Sequence, residues 1–321
     1  MSSVVDQPGA TGEPEDIDSA RANGAGADAA ADSSNEDWTH WEPDVPAVPP
    51  PELRYRRGFR MKTEVQSLWR SRGIIWSLTV RDLRATYNQE VLGIAWALLA
   101  PLTLMVVFTF LANRFNGHID TGGIWYPIFL YVGLLPWTFF TNAVSSGGTS
   151  LIGNPLLNKV YAPREVFPIS DIIGAIVNTL CASIALGVLF LIDGSWPSAT
   201  FYWVPVLLVI LLVFTTGVTL VVSCITVYLR DMRHALPLFL QLGLFLTPIL
   251  YGLNKIPAAW RDLYVVVNPL VAVIDGMRRC LLFDQAPSAT YTLLAAGASI
   301  VWLVGSFMLF KRLETGFADV S

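Results

Sequence analysis

The sequence predicts an all-α integral membrane protein: six transmembrane helices, an amphipathic interface helix before them, and a short re-entrant or surface helix pair between spans five and six. Three observations carry this prediction. Of 321 residues, 53% are hydrophobic and only 14% charged, too little charge for a soluble surface. Residues 91–113, 121–158 and 172–192 contain no Asp, Glu, Lys or Arg. The charges that exist are segregated: residues 1–50 hold eleven acidic groups and one basic, residues 51–90 nine basic and four acidic, and the remainder eleven basic and ten acidic. The net charge of -4 therefore hides a mildly basic membrane-facing part behind an acidic tail.

Taken in order, residues 1–50 are rich in Ala, Gly, Asp, Glu, Ser and Pro, cannot bury enough surface to offset their ordering entropy, and are expected to be a disordered cytosolic tail. Residues 51–90 are basic, and Val65, Leu68, Trp69, Ile75, Trp76, Leu78, Leu83 and Tyr87 recur at three- and four-residue steps. That spacing predicts one or two amphipathic helices lying in the inner interface, tryptophans at headgroup level and arginines towards anionic lipid.

The six-helix region follows over residues 91–321. Residues 91–113 form 23 uncharged positions, enough at about 1.5 Å each to cross a hydrocarbon core of roughly 30 Å. The remaining spans are expected at residues 125–147, 172–192, 203–228, 234–254 and 292–310. Residues 263–274 are uncharged over only 12 positions and broken by Asn268-Pro269, too short to cross; they are read with their surroundings as the re-entrant or surface pair. The run Ser145-Ser146-Gly147-Gly148 predicts a close helix approach. With no secretory signal at the start and both termini placed inside, fifteen basic residues fall on inner segments and five on outer ones, which sets the orientation.

A short polar island at residues 149–170 lies between two long uncharged runs, and between those runs Lys159, Arg164, Glu165 and Asp171 surface. Such a loop can meet a soluble partner, and a short helix is expected over residues 155–162, with Pro163 and Pro168 marking the return to the bilayer. The plainer reading is a cytosolic loop with no docking role. No energy source is legible: the four lysines follow Met61, Asn158, Asn254 and Phe310, so none stands after the glycine that a phosphate-cradling loop needs. The spans hold almost no ionisable residue for proton relay. His40, His118 and His234 lie in different regions, and no paired carboxylates or ligand spacing suggests catalysis or a metal. Cys181, Cys224 and Cys280 read as small apolar residues. No cofactor in this chain and no nucleic-acid partner are expected. The spans are rich in aromatic residues, most facing lipid or interface belts; Trp96, Tyr126, Tyr131 and Trp137 are the candidates for a surface along which sugar rings slide.

Several stretches together resemble the ABC-2 type permeases, most of all those that export bacterial polysaccharides. They are Arg81-Asp82-Leu83-Arg84 with Tyr87, Leu92-Gly93-Ile94-Ala95-Trp96 with Pro101, and Gly133-Leu134-Leu135-Pro136-Trp137. Asn154 to Ser170 follows, with Tyr161 to Pro168 at its core, then Tyr228 to Arg233, Thr247 to Tyr251, Asn268-Pro269-Leu270 and Phe317. The resemblance covers about residue 60 to the end, and the order and spacing of the stretches carry it. It implies a homodimer of six-helix subunits in the bacterial plasma membrane, a channel between them, and two copies of a separate P-loop ATPase that holds the ATP and Mg. It further implies a coupling helix near Pro155, Asn158, Lys159, Val160, Arg164 and Glu165, and outer gate helices carrying Asn268, Pro269, Arg278 and Arg279. The cargo implied is a polyprenyl-diphosphate-linked glycan such as an O-antigen or galactan. Arg81 and Arg84 at the inner interface could receive its diphosphate through charge-assisted hydrogen bonds, or simply touch lipid headgroups. An ABC-2 exporter of small lipids or drugs, and a scaffold or membrane enzyme needing no ATPase, are the alternatives.

Overall fold

The computed structural model describes residues 61–88, 95–114, 121–153, 156–157, 162–194, 196 and 198–314. The acidic tail, most of the basic segment before residue 61 and much of the polar island lie outside them. The described residues contain ten α-helices and no strand. They are α1 (Met61–Arg70), α2 (Arg72–Asn88), α3 (Ala95–Arg114), α4 (Tyr126–Thr149) and α5 (Val166–Asp193), then α6 (Val204–Tyr228), α7 (Met232–Leu246), α8 (Ala258–Val267), α9 (Leu270–Leu282) and α10 (Ala289–Glu314). Of these α3, α4, α5, α6 with its preceding turn, and α10 are long and apolar enough to cross a membrane.

The basic stretch before the first span folds as two helices, hinged where the Ser71 hydroxyl and amide both bond the Ser67 carbonyl. Ile75 and Leu78 turn inward, while Trp69 and Trp76 stay exposed, the split expected of an interface helix. The Thr79 hydroxyl donates to the Ser170 carbonyl at 3.1 Å and so ties α2 to the start of α5.

At the centre stands α4, begun by a proline in its first turn and buried along nearly its whole length, with α3, α5, α6, α7 and α9 around it. Small residues set its approach. A Cβ on Gly147 would lie 2.5 Å from Thr219 Cγ2, and one on Gly148 would lie 2.6 Å from Val222 Cγ1, so the glycine pair does permit the close packing expected of it. Helix α5 begins six residues before the uncharged run, at Val166, because Pro168 falls in the first turn, where a missing N–H costs nothing. It stops at Gly194 in the left-handed conformation.

The fifth expected span, residues 234–254, is not one helix. α7 closes after 15 residues, about 22 Å of rise, because Pro248 pushes Thr247 out of the helical region and into an extended conformation. The chain then turns through a short 3₁₀ segment at Leu253–Lys255. Residues 263–274 lie in a helix pair, α8 and α9, broken at Asn268-Pro269 as the pattern predicted.

Where α6 and α10 cross, a Cβ on Gly217 would sit 3.0 Å from the backbone nitrogen of Leu303. Backbone cannot yield as a side chain does, so Gly217→Val is expected to lower stability by about 1–3 kcal/mol, read as an earlier thermal transition of the detergent-solubilised protein; an unchanged transition would show that the crossing is loose.

Candidate functional site

Two polar constellations stand at opposite ends of the bundle. At the end that carries α1 and α2, the last turns of α10 bring Lys311 against three carboxylates. Its Nζ lies 2.9 Å from Glu64 Oε2 of α1 and 3.0 Å from Glu314 Oε2, and also pairs with Glu165 Oε1 at the start of α5. Glu165 is fully buried, and its Oε2 has no hydrogen-bond partner among the described residues. Burial pushes the Glu165 carboxyl above the usual carboxylate range, and Lys311 works against that shift. Around this core, Arg164 Nη1 donates to the Glu314 carbonyl at 3.4 Å and the Tyr228 hydroxyl to the Leu313 carbonyl at 2.8 Å, so the last two carbonyls of α10 have side-chain donors. An apolar layer of Ile75, Leu78, Val166, Phe167, Leu220 and Phe310 lies beside it, with Leu156 and Leu157 of the polar island packed against that layer. One lysine thus joins the amphipathic helices, the island and the last helix.

Of the residues expected to meet an ATPase, Arg164 and Glu165 belong to this base, whereas Pro155, Asn158, Lys159 and Val160 lie outside the described residues. Arg81 and Arg84 sit on α2. Arg81 is paired with its neighbour Asp82 at 2.6 Å in a partly exposed contact, and Arg84 is exposed. Lys311 was legible only as a basic residue near the end of a long apolar run, and Glu64, far away in sequence, gave no local sign of the pairing.

At the other end, Arg278 of α9 is 4% exposed. Its Nε donates to the Phe129 carbonyl at 3.3 Å and its Nη1 to the carbonyls of Pro248 and Tyr251 at 2.9 and 3.0 Å; Nη2 donates to the carbonyl of Ile249. The guanidinium also lies over the Phe129 ring at 3.8 Å. These carbonyls belong largely to the unwound stretch after α7, so the arginine supplies the donors that a helix would have supplied. Neighbouring Arg279 pairs with Asp275 at 2.8 Å. Asn268 bonds the Thr247 hydroxyl through Nδ2 at 3.0 Å and accepts from the Leu270 amide at 3.2 Å, which stops α8 and starts α9, and Pro269 follows it where a missing N–H is harmless.

The expected aromatic path divides. Trp96 on α3 is 53% exposed. Tyr126 is half-buried, its hydroxyl 3.4 Å from the Leu250 carbonyl. Tyr131 and Trp137 lie instead in the packed core of the subunit: the Tyr131 hydroxyl donates to the Ala182 carbonyl at 2.8 Å, and the Trp137 ring sits on Phe140 and against Gly243. Neither offers a free ring face, because α4 is enclosed on all sides.

Residues 74–282 match the family described as ABC-2 type transporter. The chain belongs to that family. Among characterised members it is 31% identical over 258 residues to the O-antigen export system permease protein RfbA of Myxococcus xanthus, which covers 79% of this chain and 98% of the relative. The protein of the same name from Klebsiella pneumoniae is 26% identical over 246 residues, 76% of this chain and 93% of the relative. The polysialic acid transport protein KpsM of Escherichia coli is 26% identical over 249 residues, 74% of this chain and 92% of the relative. With its long apolar helices, this ABC-2 family member is an integral membrane protein.

Removing the Lys311 ammonium would leave Glu165 as an uncompensated buried charge. Lys311→Met is therefore expected to cost about 3–5 kcal/mol, and adding Glu165→Gln should restore part of it. Thermal unfolding of the single and double variants in detergent checks the coupling; purely additive losses would exclude it.

Proposed function

We propose that this chain is the membrane subunit of an ATP-binding-cassette exporter that moves a lipid-linked polysaccharide from the cytosol to the outer side of the bacterial plasma membrane. The observation that carries the reading is similarity over more than nine-tenths of the length of permeases named for O-antigen export and polysialic acid transport. The energy comes from a separate P-loop ATPase in two copies, with ATP and Mg held there. The working unit is a homodimer with six crossings per subunit, the fifth made by α7 and the turn after it. Both termini are cytosolic, which puts the Lys311 base on the inside, in agreement with the excess of basic residues there.

The base suits a coupling role for a mechanical reason. A loop that receives a push must be mounted on something rigid, and Glu165 at the root of the polar island is locked by charge to both α1 and α10. On this reading Pro155, Asn158, Lys159 and Val160, which lie outside the described residues, belong to the docking loop that precedes Glu165 in the chain. In this reading too, Arg81 and Arg84, on the same side, meet an anionic headgroup such as the diphosphate of a polyprenyl carrier. α8 and α9 serve as outer gate helices. The apolar faces of α3 and α7, with Trp96, Phe110, Phe239 and Phe245 exposed, are where a second copy would close a channel.

Affinity-tagged protein solubilised from its native membrane should bring down a P-loop ATPase in stoichiometric amount; protein that emerges alone would remove the exporter reading. Arg164→Glu, which sets a further carboxylate beside an already acidic base, should release the ATPase and abolish export of glycan, while Arg164→Lys keeps both. Unchanged assembly in Arg164→Glu would place the docking elsewhere.

A further inference from the structure

The end of the bundle opposite α1 and α2 holds a buried cation with no counter-ion among the described residues. Arg278 spends its N–H groups on carbonyls, and no carboxylate of a described residue lies within ion-pairing distance of it; Asp275, the acid whose charge it feels, is bound to Arg279 instead. Carbonyl oxygens satisfy hydrogen bonds but leave the unit charge uncancelled, and buried charges in proteins are ordinarily paired.

Arg278 lines a polar cavity of 280 Å³, together with Arg261, Arg279, Asp275, Asn254 and Tyr291. Three guanidinium groups and one carboxylate leave an excess of two positive charges around it. The two outer arginines are held in place and have donors to spare. Arg261 is oriented by bonds from Nε to the Ile256 carbonyl at 2.8 Å and from Nη2 to the Asn254 carbonyl at 3.1 Å. Arg279 is oriented through Nε by Asp275. Arg261 Nη1 and both Nη atoms of Arg279 have no partner among the described residues. Planar forks of this kind match the oxygens of a phosphate two at a time. The depth also fits, since Trp125, Tyr202 and Trp260 are exposed at this end, and aromatic residues of that kind mark the level of the headgroups.

We propose that this cavity is a binding site for the anionic phosphate ester of a lipid, with Arg261 and Arg279 as the direct donors and Arg278 as the buried charge that the phosphate neutralises. The site goes beyond the export reading and does not depend on it. The phosphate can come from a resident phospholipid of that leaflet or from a polyprenyl diphosphate carrier, and the chemistry of recognition is shared.

The full chain in dodecyl maltoside is titrated with phosphatidylglycerol and, separately, with a polyprenyl diphosphate, and bound lipid is counted by native mass spectrometry. The wild type should retain one such lipid per chain, and Arg261→Gln with Arg279→Gln should weaken binding about tenfold or more. A preference for phosphatidylglycerol makes it a resident-lipid site, a preference for the diphosphate makes it a carrier site, and either supports the proposal. Equal binding by wild type and double variant overturns it. Should the double variant fail to fold, Asp275→Asn reads the same charge in the opposite sense: it frees Arg279, so tighter binding supports the site and unchanged binding overturns it. Loss of structural packing alone would not tighten binding.

Discussion

The guanidinium of Arg278 is the contact on which one whole end of this bundle depends. Between Thr247 and Gly252 the backbone leaves the helical path, and because Thr247, Pro248 and Ile249 are buried the carbonyls there need partners within the protein. One side chain from α9 supplies it, reaching the carbonyls of Pro248, Ile249 and Tyr251 and also Phe129 at the start of α4. Room for it is made on α4: a Cβ at Gly133 would stand 2.7 Å from Arg278 Nη2. The unwound turn after α7, α9 and α4 are thereby tied to one another through Arg278, with Gly133 making room for it.

The opposite end is held by the same kind of device in a different chemistry. There a cation meets carboxylates, and Lys311 gathers Glu64, Glu165 and Glu314 from three separate elements. Between the two ends runs α4, 24 residues or about 36 Å of helix, with Gly133 near one end and the Gly147-Gly148 pair at the other. In a bilayer the tails of the lipid are as apolar as the side chains, so hydrophobicity does not choose helix partners; close backbone approach and polar locks do. The glycines of α4 and α6 supply the first, and the two cations the second.

That division explains what could be read from the sequence. Charge-free runs locate helices well, because a membrane tolerates few alternatives to helix, and α3, α4, α5, α6 and α10 fall on the runs that predicted them. A run without charge does not distinguish a helix from an unwound turn braced by a distant arginine, so residues 234–254 read as one span; Thr247-Pro248 was the local sign of the break. Burial of individual aromatics was not legible either. Periodicity reveals an inward face only when a helix has an outward one, and α4 around Tyr131 and Trp137 has none. The pairing of Glu64 with Lys311 joins the first described helix to the last, a contact that no spacing rule reaches. Arg278 could be counted among the basic residues of its side of the membrane, yet its burial follows from the fold alone.

The exposed face formed by α3 and α7 asks a different question. Phe108 and Phe245 meet edge to face at 6.3 Å, joining the two helices into one apolar surface. In water such a surface would call for a partner, but in a membrane lipid covers it at little cost, so its apolar character decides nothing. The polar exception on it is more telling. Gln241 projects from the middle of α7 into the open, with no hydrogen-bond partner among the described residues, and an amide left unpaired in hydrocarbon costs several kcal/mol. Water or the polar groups of another chain would satisfy it, which is what the proposed channel wall between two copies would offer.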